Sequence, residues 1–249
     1  MQGNKIIIEI AAFTPGSAIV AAAAGAKRIE LCSGYAEGGL SPSAGTIVYV
    51  REKVNIPVFV MIRPRIGDFV YNDAEKEIIL KDIEFCKEAG VDGIVTGALD
   101  ASGAVDKNFV RRVVDTAGSL PVTFHRAFDL SCNLDQALQD LIDCGITRVL
   151  TAGGKNSVTE GLDAIRSLVK SAGDRIIILP GGGIHAGNAR QIVESTGLRE
   201  IHCSGKELIS SPMGHNPETS LTSTGEVSDF QWYESSTKKI KEIISQLIA

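Results

Sequence analysis

The sequence predicts a (β/α)8 barrel, and three observations carry that prediction. Short β-type apolar runs alternate with helical patterns eight times along 249 residues. The strand candidates begin 22 to 35 residues apart. Several helical stretches stop at a glycine just ahead of the next strand. The first strand is predicted at 6–11 and its helix at 17–24. The next pairs fall at 28–32 with 43–53, 58–62 with 73–89, and 93–96 with 106–117. They continue at 122–125 with 134–144, 148–151 with 159–172, and 176–180 with 186–196. The eighth strand, 200–202, waits until 238–247 for its helix. Gly25, Gly90, Gly145 and Gly197 stand at helix ends, where glycine accepts the left-handed turn. Strict alternation implies a parallel sheet. Eight units in this length favour closure into a single-domain barrel over 1–249, rather than an open doubly wound sheet. Residues 206–237 break the pattern and are rich in Ser, Thr and Pro. They are expected to form an extended final βα loop: a cover for the pocket, a contact with a second subunit, or a disordered surface loop.

Composition narrows the function. Hydrophobic residues make up 44% and charged residues 22%, as in ordinary globular proteins. The net charge of -5 and the lack of a Lys/Arg run argue against nucleic acid as a partner. No apolar stretch reaches 18 residues, so no membrane span is expected. The N-terminus, MQGNKIIIEI, lacks a secretory pattern. Cys32, Cys86, Cys132, Cys144 and Cys203 are odd in number and form no CxxC pair, which suits neither a disulfide framework nor a zinc knuckle. A reducing cytoplasm is the expected location.

Strand parity then predicts the pocket. Alternate barrel residues point inward, and the outward ones meet helices and should be apolar. With Ile8 and Ile10 outward, Glu9 faces in. With Ile29 and Leu31 outward, Glu30 and Cys32 face in. The same rule turns Arg63, His125, His202 and Ser204 inward. Burying such groups costs stability unless they are paired. They gather where barrel active sites lie, at the carboxyl ends of the strands, although a network of Glu–Arg pairs plugging the barrel would use the same residue types.

The loops add anion chemistry. Gly181-Gly182-Gly183 follows the seventh strand and Ser204-Gly205 the eighth. Glycine lets backbone N–H groups approach an anion, and barrels often hold phosphate after strands 7 and 8. Thr151-Ala152-Gly153-Gly154 offers a smaller nest. Arg63-Pro64-Arg65 supplies two guanidiniums suited to carboxylate or phosphate. His125 suits proton transfer or metal ligation. Asp129 is placed to orient it or to pair with an arginine such as Arg126.

These stretches together resemble the CutC family. The similarity runs through Arg28–Gly34, Glu37-Gly38-Gly39, Ser41-Pro42-Ser43, Pro57–Tyr71, Pro121–Asp129, Arg148–Gly153 and Pro180–Ile184. The resemblance implies a cytoplasmic TIM barrel, commonly oligomeric, associated with copper tolerance and in some members with Cu(I). It also implies copper ligation by cysteines two residues after a Glu on the first two strands. Glu30-Leu31-Cys32 keeps the second of these, but the first position is Ala11. Cu(I) prefers thiolates, so Cys32 would need His202, His125 or another subunit to complete a site.

Two functions follow as expectations. One is copper handling, with Cys32 and His202 as ligands. The other is an enzyme acting on a small phosphorylated or carboxylated metabolite. There Arg63, Arg65, Gly181, Gly182, Gly183 and Ser204 would hold the anion, while His125 and Glu9 or Glu30 move protons. A scaffold with a relic pocket is a third, bland expectation. No HExxH, P-loop or G-x-S-x-G motif selects a reaction.

Overall fold

Alternating Ile, Val and Leu side chains give each strand one face that must meet a helix. The computed structural model describes residues 6–215, 219, 221 and 228–247. Its elements run β1 (Ile7–Ala12), α1 (Pro15–Ala24), β2 (Arg28–Leu31), α2 (Ala44–Lys53), β3 (Val58–Met61), α3 (Asp73–Glu88), β4 (Gly93–Thr96) and α4 (Lys107–Ala117). They continue as β5 (Val122–Phe124), a 3-10 turn (Arg126–Leu130), α5 (Leu134–Asp143), β6 (Arg148–Thr151), α6 (Leu162–Ala172), β7 (Ile177–Pro180), α7 (Ala189–Thr196) and β8 (Glu200–Cys203). The chain ends in β9 (Lys206–Ser210), β10 (Gln231–Ser235) and α8 (Thr237–Ser245).

The eight predicted strands pair in parallel in the order β7-β6-β5-β4-β3-β2-β1-β8. The remaining seam is bridged between Gly181 and His202, which brings β7 against β8 and all but closes the barrel. Outside, Ile8, Ile10, Ile29, Leu31, Val58 and Val60 belong to the core between strands and helices. Each such side chain contributes about 1.5–3 kcal/mol by leaving water. Inside, Cys32, Phe59, Met61 and Val95 form a separate apolar cluster. The parity rule therefore holds on β1, β2 and β3, where no bulge shifts the register.

Local sequence sets the helix ends. Thr14 caps α1, and Asn72 and Glu75 form a reciprocal capping box on α3. The four predicted stop glycines, Gly25, Gly90, Gly145 and Gly197, all take positive φ. The sixth helix starts later than expected, at Leu162, because the chain crosses itself just before it. A Cβ on Gly161 would stand 1.8 Å from the Ala152 carbonyl oxygen. Residues 158–161 therefore form a turn against the β6 loop. No described helix is long and apolar enough to cross a membrane.

The segment at 206–237 is not a plain loop. Its two arms, β9 and β10, pair as an antiparallel ribbon from Lys206↔Ser235 to Ser210↔Gln231. Glu234 anchors the ribbon on α1 by accepting from Thr14 Oγ1 (2.6 Å) and Ser17 Oγ. Lys206 lies over the rings of Tyr35 and Tyr233, at 4.2 and 4.3 Å from their centroids. Much of the stretch between the arms lies outside the described residues.

Candidate functional site

The barrel interior carries two polar layers. The deeper one is a closed charge network. Arg28 pairs with Glu9 through Nε and with Glu200 at 2.7 Å. Arg148 grips Glu200 with Nε at 2.8 Å and a second nitrogen at 3.2 Å, and reaches Thr123 Oγ1 at 3.4 Å. The Phe59 ring lies against both guanidiniums, 5.0 and 5.4 Å from its centroid. Arg28, Arg148 and Glu200 are functional-looking residues that the sequence reading missed. The signal was present. Arg28 precedes Glu30 by two residues and Glu200 precedes His202 by two, so each shares its neighbour's inward face.

Above this network lie Glu30, Cys32 and His202, joined to it by Glu9. His202 Nδ1 donates to Glu9 Oε1 at 2.7 Å, and its Nε2 faces Glu30 Oε2 at 3.8 Å. Cys32 Sγ donates to the same Glu30 oxygen at 3.4 Å. One ligand atom from each of Glu9, Glu30 and His202 lies within 4.8 Å of the others. Burial alone would raise the Glu9 carboxyl, but the His202 hydrogen bond and the Arg28 charge outweigh it and bring the pKa down to about 2. Glu9 is thus a carboxylate and the Nδ1 proton stays on His202. Burial raises Glu30, with the His202 charge opposing. Burial disfavours the imidazolium of His202, yet Glu30 and Glu9 together raise its pKa. Burial, reinforced by Glu30 and Glu9, pushes the Cys32 thiol well above its ordinary value.

Arg63 and His125 complete the inner wall. Arg63 donates to the carbonyls of Glu37 (2.8 Å), Gly39 (3.0 Å) and Gly67 (2.8 Å), and its guanidinium lies over Phe69. His125 Nδ1 accepts from the Ala127 N–H at 3.2 Å. Burial, aided by the Arg63 charge, lowers the His125 pKa to about 3. Burial and Arg63 thus work against an imidazolium at His125, whereas Glu30 and Glu9 favour one at His202.

A small cavity of about 130 Å³ is lined by Glu30, Arg63, His125 and His202, with Met61 and Leu150. A larger one of about 700 Å³ lies against the β7 and β8 turns and shares Ala11, Phe13, Arg126 and His202 with the first. Gly181, Gly182, Gly183 and Ser204 line the larger cavity, together with Lys206 and Lys239. The Gly182 and Gly183 N–H groups donate to no main-chain acceptor among the described residues. The two lysines were not anticipated; one stands on the ribbon and one on α8.

Two groups expected to hold an anion are engaged within the chain. Arg65 lines neither cavity: its Nε pairs with Glu75 at 2.6 Å, and its other nitrogens bind Asp68 and nearby carbonyls. It fastens the β3–α3 loop. The nest after β6 is filled from within, because the Asp129 carboxylate accepts from the Ala152 and Gly154 N–H groups and from Thr151 Oγ1. Asp129 also takes the Arg126 Nε–H at 2.7 Å, so it pairs with the arginine rather than with His125.

This architecture has known relatives. The sequence model of the CutC family matches residues 6–207. The CutC family protein of Xanthomonas campestris is 43% identical over 240 residues, covering 96% of this chain and 98% of its own. The human copper homeostasis protein cutC homolog is 45% identical over 210 residues, 84% of this chain and 77% of the human protein. The crystal structure of CutC from Streptococcus agalactiae superposes with a TM-score of 0.74 at 36% identity, covering 79% of this chain and 97% of that one. With its family match over most of the barrel and these identities across 77–98% of each relative, the chain belongs to the CutC family.

Proposed function

We propose that this protein serves copper homeostasis, the role for which its human and mouse relatives are named, and that it handles copper as cargo at the barrel mouth. The observation that carries this reading is the Glu9–His202 pair. A metal-binding histidine is commonly held by a carboxylate on its other ring nitrogen. Glu9 does this at 2.7 Å and leaves Nε2 facing Glu30 and the neighbourhood of Cys32. The donors that converge within 4.8 Å are the Glu9 and Glu30 carboxylates and the His202 imidazole, and the Cys32 thiol adjoins them through Glu30 at 3.4 Å. With a single thiol beside it, this set is less selective for Cu(I) than a thiol pair. Ala11 lines both cavities at the position of the missing cysteine. The five cysteines form no disulfide, which suits a reducing cytoplasm. A homo-oligomer is part of the same reading.

A Cu(I) competition titration tests it. Cys32→Ser and His202→Ala are expected to weaken binding at least about tenfold, Cys203→Ser to leave it unchanged, and Ala11→Cys to strengthen it. Unchanged affinity in Cys32→Ser overturns Cu(I) handling at this site.

A second reading has its own support. The Gly182 and Gly183 N–H groups, which meet no main-chain acceptor among the described residues, share the larger cavity with Lys206 and Lys239. That set favours a small anion, with His202, oriented by Glu9, moving a proton beside Glu30. A well-placed acid–base group contributes roughly 10²–10⁴-fold to a rate. Inorganic phosphate is expected to bind there and to weaken about tenfold or more in a Lys206→Ala, Lys239→Ala double variant. No phosphate binding by calorimetry removes this reading.

A further inference from the structure

Three buried polar atoms around the inner cavity lack a partner among the described residues. They are Arg63 Nε, His125 Nε2 and Glu30 Oε1. Their residues are only 6%, 4% and 3% exposed, and all three line the same 130 Å³ space. An orphaned buried polar group costs stability, so three at one cavity call for a ligand.

The chemistry of that ligand can be read from the donors. His125 Nδ1 accepts from Ala127, so in the neutral ring the proton sits on Nε2. Nε2 is therefore a donor. Arg63 Nε is a donor as well, and the guanidinium has no carboxylate partner among the described residues; its other nitrogens spend their protons on backbone carbonyls. Those carbonyls solvate the charge without neutralising it. The second arginine on this wall, Arg126, is already paired with Asp129. Glu30, the one carboxyl lining the cavity, faces the His202 imidazole. Two orphan donors, one of them on an uncompensated cation, thus belong to residues that line the cavity with Met61, Phe69 and Leu150. At about 30 Å³ per water, the space holds roughly four waters or a short organic acid.

We propose that the inner cavity is a carboxylate subsite, in which a short-chain carboxylic acid accepts hydrogen bonds from Arg63 Nε and His125 Nε2. This rests on the small-anion reading of the mouth and names its substrate class. The acid group enters the inner cavity, and the rest of the molecule extends past Ala11 and His202 into the larger one. The proton-moving His202 then lies beside the substrate rather than beneath it.

The test titrates the full chain with acetate and pyruvate by calorimetry, with neutral acetamide as control. Acetate and pyruvate are expected to bind, and acetamide at least about tenfold more weakly. Arg63→Lys keeps the charge and loses the Nε donor. His125→Asn keeps an acceptor for Ala127 and loses the Nε2 donor. Each is expected to weaken acetate about tenfold or more without moving the phosphate affinity of the outer cavity. Should either variant fail to fold, ¹⁵N-labelled wild type supplies the answer: the His125 Nε2–H resonance must shift on adding acetate. Acetate binding that ignores both variants, or an unshifted resonance at saturation, overturns the subsite. Phosphate binding without acetate binding overturns the subsite and spares the outer site. Failure of both ligands overturns both.

Discussion

In the depth of the barrel, Arg28, Arg148, Glu200 and Glu9 satisfy one another. At the mouth, Arg63, His125 and Glu30 are just as buried, yet each keeps an atom without a partner among the described residues. Both layers contain arginine and glutamate, and the mouth adds histidine and cysteine. A completed ion-pair network fixes the geometry of the strands that carry it and has nothing left to offer a ligand. An interrupted one carries an energetic cost that a ligand can relieve. Glu9 joins the layers, holding Arg28 with one oxygen and His202 with the other. The closed layer thereby aims the open one. The bland expectation of Glu–Arg pairs plugging the barrel describes the deep layer and stops short of the mouth.

The comparison breaks most visibly at Glu200. Glu200→Ala leaves Arg28 and Arg148 buried with too little negative charge. It is expected to cost about 3–5 kcal/mol in chemical denaturation. A loss under 1 kcal/mol would mean that the deep layer is not a structural unit.

Next in size is a pH effect at the mouth. Unfolded, the His125 imidazole titrates near 6.5; in the fold it does so at about 3. Between those values the unfolded chain binds a proton that the native chain does not. Stability therefore falls as pH drops below 6.5 and levels off near 3, by at most about 1.4 kcal/mol per pH unit from this group. His125→Asn removes that slope. Denaturation midpoints of wild type and variant should draw apart as the pH is lowered, with wild type losing more. Parallel curves would show that His125 is not held neutral. Glu9, lowered to about 2, acts in the same direction at lower pH. Its stabilisation is present above the unfolded value of 4.5 and is lost as pH falls toward 2.

The smallest effect is expected at Arg65. Its side chain is committed to Glu75 and Asp68 at the surface. Arg65→Ala should leave phosphate and acetate affinities within about twofold. A tenfold loss would return Arg65 to the anion site.

Much of the site was legible because barrel strands obey a period of two. Glu9, Glu30, Cys32 and His202 follow from the apolar residues between them. Arg28 and Glu200 obey the same parity but sit at the strand starts, away from the mouth. His125 faces inward as its parity requires, but its charge depends on burial and on Arg63 rather than on residue type. The ribbon was hidden in polar sequence. Strands β9 and β10 are held by pairing with each other and by Glu234 on α1, not by an apolar repeat.

The sequence by itself determined the order of strands and helices and the inward set on the first strands. These depend on local periodicity and on identity. Only the tertiary structure decided which buried charges are paired, which nitrogen of His125 carries its proton, and that Arg65 and Asp129 turn to the chain's own loops. Each of those outcomes depends on distances between groups far apart along the chain, and on the loss of water around them, which no local pattern encodes.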